Sequence, residues 1–185
     1  SGSSYDIYAQ RVNKDGIMQW AANGVAVCAL GGFQDSPSIC SDGANGAIIA
    51  WEDARGANYD VFAQRLNSAG TALWTANGTA ISQAASDQAY PVVAADGANG
   101  AVIAWLDYRG DGDIYAQRIT GAGNTLWTSN GVGVCTASFV QEFVQIAGDG
   151  AGGAALAWSD YRNNRYDIYA QKLNATGVGQ WDYNG

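Results

Sequence analysis

Three segments of this chain carry one polar constellation. Trp51-Glu52-Asp53-Ala54-Arg55, Trp105-Leu106-Asp107-Tyr108-Arg109 and Trp158-Ser159-Asp160-Tyr161-Arg162 all read Trp-x-Asp-x-Arg, with a later Asp at 60, 113 and 167. A carboxylate supplies acceptors only, a guanidinium supplies a planar fork of donors, and an aromatic ring supplies a flat apolar face. Together these groups suit a sugar: Trp or Tyr stacks on a pyranose, while Asp53, Arg55, Asp107, Arg109, Asp160 and Arg162 hold its hydroxyls. The same pairs also suit a second task, clamping an irregular loop through its backbone groups, which must find partners somewhere. Presence in every copy favours the clamp, because a catalytic site in a ring of repeats breaks its symmetry.

Other chemistries find few residues here. The chain has no histidine, which removes the commonest general base and metal ligand and excludes a Ser-His-Asp triad within it. Asp111 and Asp113 stand close, but Asp-Gly-Asp is too short for a calcium loop with its six to eight oxygens, so no metal and no cofactor is expected. No Gly-rich turn leads into a helix, so no phosphate-binding fingerprint is present. The net charge of −8 disfavours nucleic acid and anionic lipid, and no run reaches the length of a membrane span. Three cysteines cannot all pair internally, and they read as packing residues. Cys28 and Cys135 stand in equivalent places two repeats apart, too distant to bond in a ring, which leaves Cys28 with Cys40 as the open pairing.

The elements that position the constellation come from an internal repeat. Asp6-Ile7-Tyr8-Ala9-Gln10-Arg11 recurs from Asp60, Asp113 and Asp167, in steps of 54, 53 and 54 residues, and Trp20, Trp74, Trp127 and Trp181 keep the same steps. Each period reads as four strands. The first is Pro37–Cys40, Pro91–Ala94 or Val144–Ala147; the second is Ala47–Trp51, Ala101–Trp105 or Ala154–Trp158. Between them lie Asp42-Gly43-Ala44-Asn45-Gly46 and its copies, whose Gly and Asn accept the positive φ of hairpin turns. The Asp-Ile-Tyr-Ala-Gln-Arg segment is the third strand, and a brief fourth is expected to end on Trp74, Trp127 or Trp181. A longer segment such as 75–90 then leads to the next copy. Frequent glycine and short β-branched and aromatic runs exclude helices.

Short meanders joined by one longer crossover describe the blades of a β-propeller. The expected fold is therefore all-β, with four-stranded antiparallel meanders repeating every 53–54 residues and about three and a half blades: a half blade at 5–20 and full ones at 36–74, 90–127 and 143–181. The segment Asn174-Ala175-Thr176-Gly177-Val178-Gly179-Gln180-Trp181 resembles the Asp-box of sialidase-like propellers and the tryptophan repeat of quinoprotein-like propellers. It departs from both at the leading Asp, which is Asn13, Asn67 and Asn174 in three copies and Thr120 in the other. The whole unit is similar to propeller repeats of large secreted bacterial surface proteins. That resemblance implies a fold and a secreted or cell-surface location more than an activity.

The expected function is a non-catalytic propeller module, serving as a scaffold or as an adhesive, carbohydrate-binding surface for a glycan or protein ligand. The alternative is a fragment of a sialidase-like glycoside hydrolase. That reading needs an acid in one copy that its siblings lack, and Glu142 is the residue it would use. A half blade has an open strand edge and a full end blade has an open face, so the chain is expected to self-associate and complete a ring.

Overall fold

The computed structural model describes residues 4–185 and is all-β. In chain order the strands are β1 (Ile7–Ala9), β2 (Val25–Cys28), β3 (Gln34–Ser41), β4 (Ala47–Asp53), β5 (Asp60–Leu66), β6 (Thr79–Ser82), β7 (Gln88–Ala95), β8 (Ala101–Asp107), β9 (Asp113–Ile119), β10 (Val132–Cys135), β11 (Gln141–Gly148), β12 (Ala154–Asp160) and β13 (Asp167–Leu173). They form antiparallel sheets of two (β1-β2), four (β3-β4-β5-β6), four (β7-β8-β9-β10) and three strands (β11-β12-β13), each in meander order. β1 and β2 correspond to the third and fourth strands of the larger sheets.

Strand alternation divides each sheet between two apolar layers. On β4 and β5, Ile49, Trp51, Phe62 and Leu66 turn toward the β1-β2 sheet, where they meet Ile7, Val27 and Cys28. Ile48, Ala50, Val61 and Ala63 turn the other way, onto Val93, Ile103, Trp105 and Ile119 of the next sheet. The same exchange recurs beyond it, with Val102, Ala104, Ile114 and Ala116 against Leu156, Trp158 and Leu173. The sheets therefore stack face to face in sequence order, with β7 packed on both β3 and β11. The second strands β4 and β8 are buried on both sides, as their unbroken apolar runs require, while β12 alternates buried and half-buried residues. All three cysteines are free thiols.

The fourth strand does not lie where the sequence placed it. The segment ending on Trp74 makes one isolated bridge, Leu66 with Ala72, and then leaves the ladder. The cause is the buried Gln64 side chain. Its Oε1 accepts from the Trp74 N–H (2.9 Å) and its Nε2 donates to the Thr75 carbonyl (2.8 Å), so a side-chain amide replaces a backbone rung. Gln10, Gln117 and Gln171 do the same beside Trp20, Trp127 and Trp181. A turn through Asn77 and Gly78, both at positive φ, brings the chain back, and β6 pairs with β5. A Cβ on Gly78 would stand 2.5 Å from the Trp51 ring, so glycine is required there. The strand thus sits inside the segment read as crossover, and only residues 83–87 connect β6 to β7.

Each sheet has two unlike ends. One carries the Asp-Gly hairpins and the turns after β5, β9 and β13, which read Asn-x-x-Gly at 67–70 and 174–177 and Thr-x-x-Gly at 120–123. The other carries the second-to-third strand connections and the approaches to β3, β7 and β11.

Candidate functional site

The Trp-x-Asp-x-Arg constellations close the second strands, at the connection end. Asp53, Asp107 and Asp160 pair across the ladder with Asp60, Asp113 and Asp167, and the first three are fully buried. Asp53 Oδ2 accepts from Trp51 Nε1 (2.8 Å) and from the Arg55 guanidinium, while Oδ1 accepts from the Arg55 backbone N–H (2.9 Å). Asp107 takes the same donors from Trp105 and Arg109, and Asp160 takes them from Trp158 and Arg162. Each guanidinium then donates to a carbonyl ahead of the fourth-strand position, Asn77, Asn130 or Asn184. It also lies over an aromatic ring of the third strand, at 3.8 Å from Phe62, 4.0 Å from Tyr115 and 3.8 Å from Tyr169.

Burial raises the Asp53 and Asp160 carboxyls, but hydrogen bonds from arginine and the indole outweigh it and hold both below the ordinary carboxylate pKa. Arg55 is opposed by burial and raised by Asp53. Every oxygen of these aspartates is thus engaged within the fold, and Trp51, Trp105 and Trp158 are fully buried, out of reach of a stacking ligand. The arrangement ties the second strand, the connection after it and the fourth-strand approach into one rigid floor.

Above that floor the copies differ. Each first strand begins with a bulge, at Asp35–Ser38, Ala89–Val92 and Glu142–Gln145, and its second residue has positive φ: Ser36 at 51°, Tyr90 at 52° and Phe143 at 56°. That conformation is uncommon for any residue with a Cβ and a genuine outlier for a bulky one. The bulge points Tyr90 and Phe143 into solvent. Exposed Tyr5, Phe33, Tyr108, Phe139 and Tyr166 share this end, with edge-on contacts between Tyr5 and Phe33 (centroids 5.5 Å) and between Phe139 and Tyr161 (6.4 Å).

Carboxylates lie among these rings. Glu52 Oε2 accepts from the Tyr90 N–H (3.0 Å) across two sheets, and its Oε1 accepts from the Ser36 hydroxyl (3.0 Å). Asp87 accepts from the Tyr59 N–H (2.9 Å). The Tyr108 hydroxyl is raised by burial and by the surrounding Tyr90, Glu142, Asp87 and Glu52, and the Tyr166 hydroxyl is raised by its hydrogen bond with Glu142. The links carrying this rim are held from beneath: buried Gln88 donates to the Ser86 carbonyl (2.8 Å) and buried Gln141 to the Phe139 carbonyl (2.7 Å).

Sequence reasoning singled out the six clamp residues and Glu142, and missed the aromatic rim. The available signal was the converse of repetition: Ser36, Tyr90 and Phe143, or Glu52, Leu106 and Ser159, are equivalent positions at which the copies disagree. Among the described residues no cluster of three or more His, Cys, Asp or Glu is placed to hold a metal. No family, no curated protein and no solved structure matches this chain.

Proposed function

We propose that the chain is an arc of β-propeller blades from a secreted or cell-surface protein, a non-catalytic module whose connection end binds carbohydrate. The blade reading is supported by the meander order of the sheets and by their face-to-face stacking, with β3, β7 and β11 adjacent. The location is supported only by a composition rich in Gly, Trp and Tyr with few charged residues.

One observation carries the binding role: Tyr90 and Phe143 are held exposed in a conformation that costs free energy, beside carboxylates and over a rigid floor. Flat rings with acceptors between them match the CH faces and hydroxyls of pyranoses. The carboxylates and the absence of histidine favour neutral or amino sugars over acidic ones. A sialidase-like reaction on an anionic sugar is disfavoured by the same charges, since Arg55, Arg109 and Arg162, the natural forks for a sugar carboxylate, are spent on aspartates.

The test is an array of neutral, amino and acidic glycans probed with the wild type and with Tyr90→Ser and Phe143→Ser. Retention of a neutral or amino glycan, lost in both variants, is expected. No bound glycan, or binding that both variants keep, would overturn the reading.

A further inference from the structure

Successive sheets are joined three times to one plan. At the hairpin end, Trp20 Nε1 donates to the Ser68 carbonyl (3.1 Å), Trp74 Nε1 to Gly121 (3.0 Å) and Trp127 Nε1 to Ala175 (3.0 Å), each in the next sheet. Arg11, Arg65 and Arg118 donate to the same three carbonyls. At the connection end, an asparagine latches onto the outer strand of the sheet before it. Asn77 Oδ1 accepts from the Ala29 N–H (3.4 Å), Asn130 Oδ1 from the Gln83 N–H (3.0 Å) and Asn184 Oδ1 from the Thr136 N–H (3.0 Å). The carbonyl of each asparagine is held in turn by the clamp arginine of its own sheet.

Beside the middle latch lies a groove of about 360 Å³, at the small end of the range for small-molecule sites. One wall is β6 and ends on Ser82 and Gln83; the other carries Thr125, Trp127, Ser129 and Asn130. Both walls belong to interior sheets, each with a neighbour on either side. The lining departs from its siblings at four places at once. Ser82, Gln83, Thr125 and Ser129 stand where the first joint has Cys28, Ala29, Ala72 and Ala76. The last joint, with a groove of about 330 Å³, has Cys135, Thr136, Gly179 and Tyr183 there. Latch and clamp form in all three joints, so the joint itself does not need this polar set. A second observation is independent of that comparison. Ser82 is buried, and its hydroxyl has no hydrogen-bond partner, a state that costs free energy while the groove is empty. With no bond holding it, the side chain is free to turn its hydroxyl onto a guest by rotation about χ1.

We propose that the groove between β6 and the 125–130 segment is a second ligand site, and that it takes a single neutral sugar ring. Ser82, Thr125 and Ser129 each both donate and accept, which matches the hydroxyls of a sugar. Asn130 keeps its NH2 group after its Oδ1 is spent on the latch, and Gln83, whose Nε2 donates to Asp60 Oδ2 (3.2 Å), keeps its Oε1. Among the described residues no charged side chain lines the groove, so nothing there pairs with an ammonium or a carboxylate. The site shares no residue with the aromatic rim and does not depend on sugar recognition there.

A groove variant combines Ser82→Cys, Thr125→Ala and Ser129→Ala. Each change installs what the chain itself carries at the equivalent Cys28, Ala72 and Ala76, so folding is retained. A rim variant combines Tyr90→Ser and Phe143→Ser. Saturation-transfer NMR is run with glucose, galactose, mannose and N-acetylglucosamine, and with glucosamine and glucuronate as charged counterparts. At least one neutral sugar is expected to bind the wild type and the rim variant alike, and its affinity is expected to fall roughly tenfold or more in the groove variant. No neutral sugar on the rim variant, or binding that the groove variant keeps, would overturn the proposal. Tighter binding of glucosamine or glucuronate than of the neutral sugars would also overturn it. A sugar lost in the rim variant alone would place binding at the rim, so the two sites fail separately.

Discussion

The hairpin end and the connection end of these sheets are built under opposite rules. At the hairpin end, side chains repeat from copy to copy and so do their bonds. Asp42 accepts from the N–H groups of Ala44 and Gly46 and from Arg65, Asp96 does the same with Ala98, Gly100 and Arg118, and Asp149 accepts from Ala151 and Gly153. Each arginine of these pairs also reaches the next sheet. Repetition there serves one purpose, the sheet-to-sheet joint. At the connection end the repetition stops one layer down. The Asp–Arg clamps are constant, while the bulges above them hold Ser, Tyr or Phe, and the second strands offer Glu, Leu or Ser beside them. Constant residues position the chain, and the residues that vary are the ones free to meet something else.

The largest expected effect tests the constant layer. Trp105 is fully buried between sheets and its indole N–H is held by Asp107. Trp105→Ala removes the ring and leaves the carboxylate short of a donor, and it is expected to cost about 3–5 kcal/mol in urea unfolding. Near-wild-type stability would mean that the clamp does not carry the fold.

The same substitution logic applied to the rim is expected to give the reverse result. Phe143→Asn puts a residue that tolerates positive φ at a largely exposed site, so stability is expected to change by less than about 1 kcal/mol. Glycan retention is expected to be lost. A large destabilisation would place Phe143 with the structural residues and erase the contrast between the layers.

Titration separates the two roles of the aspartates. Asp42, Asp53 and Asp160 have pKa values depressed by their donors despite burial, so their stabilisation is complete above the unfolded-state value of about 3.9 and is lost as pH falls through the lower folded values. Asp60 and Asp113 have the opposite sign. Burial comes first for both, with the neighbouring Asp53 or Asp107 adding to it, and raises their folded values, so each penalises the folded state at neutral pH and the penalty disappears on acidification. Asp113→Asn is therefore expected to stabilise the protein at pH 7, with the gain shrinking as pH falls through the raised folded value and gone below the unfolded value of about 3.9. A gain that is independent of pH would assign the effect to packing.

Much of the constant layer is readable in the sequence because it repeats. The period, the first three strands and the positive-φ hairpin turns all follow from residues that recur, and Asn45 and Asn99 adopt the φ of 63° that such turns need. The fourth strand was not readable, because the event that displaces it is a side-chain bond. Nothing in the spacing of Gln64 and Trp74 announces that an amide will take the place of a backbone rung. The bulges were hidden for a related reason: Tyr90 and Phe143 carry no glycine to announce positive φ, and tertiary packing imposes it. The six clamp residues were found as a group, but choosing between a ligand site and a clamp required their burial, which spacing alone does not give.

The smallest effect expected within the constant layer lies where one copy departs from the plan. Cys28 and Cys135 are buried at equivalent positions, with sulfurs 3.4 Å and 3.1 Å from Nη2 of Arg55 and Arg162. Burial comes first in raising both thiols, so they pack there as neutral groups, and for Cys135 the value reaches about 11. The middle copy has Ser82 instead, buried, with no hydrogen-bond partner for its hydroxyl. A hydroxyl loses more on leaving water unpaired than a thiol does, because the thiol is a weak donor that behaves as a small apolar group. Ser82→Cys is therefore expected to stabilise the protein by about 1 kcal/mol, the low end of the penalty for a buried unpaired polar group. Cys135→Ser is expected to lose a similar amount, and the double exchange is expected to return close to wild type, since the two positions lie in different joints. Urea unfolding of the three variants measures all of this. Unchanged stability in both single variants would show that the Ser82 hydroxyl is satisfied in solution, and that this copy keeps to the plan by another route.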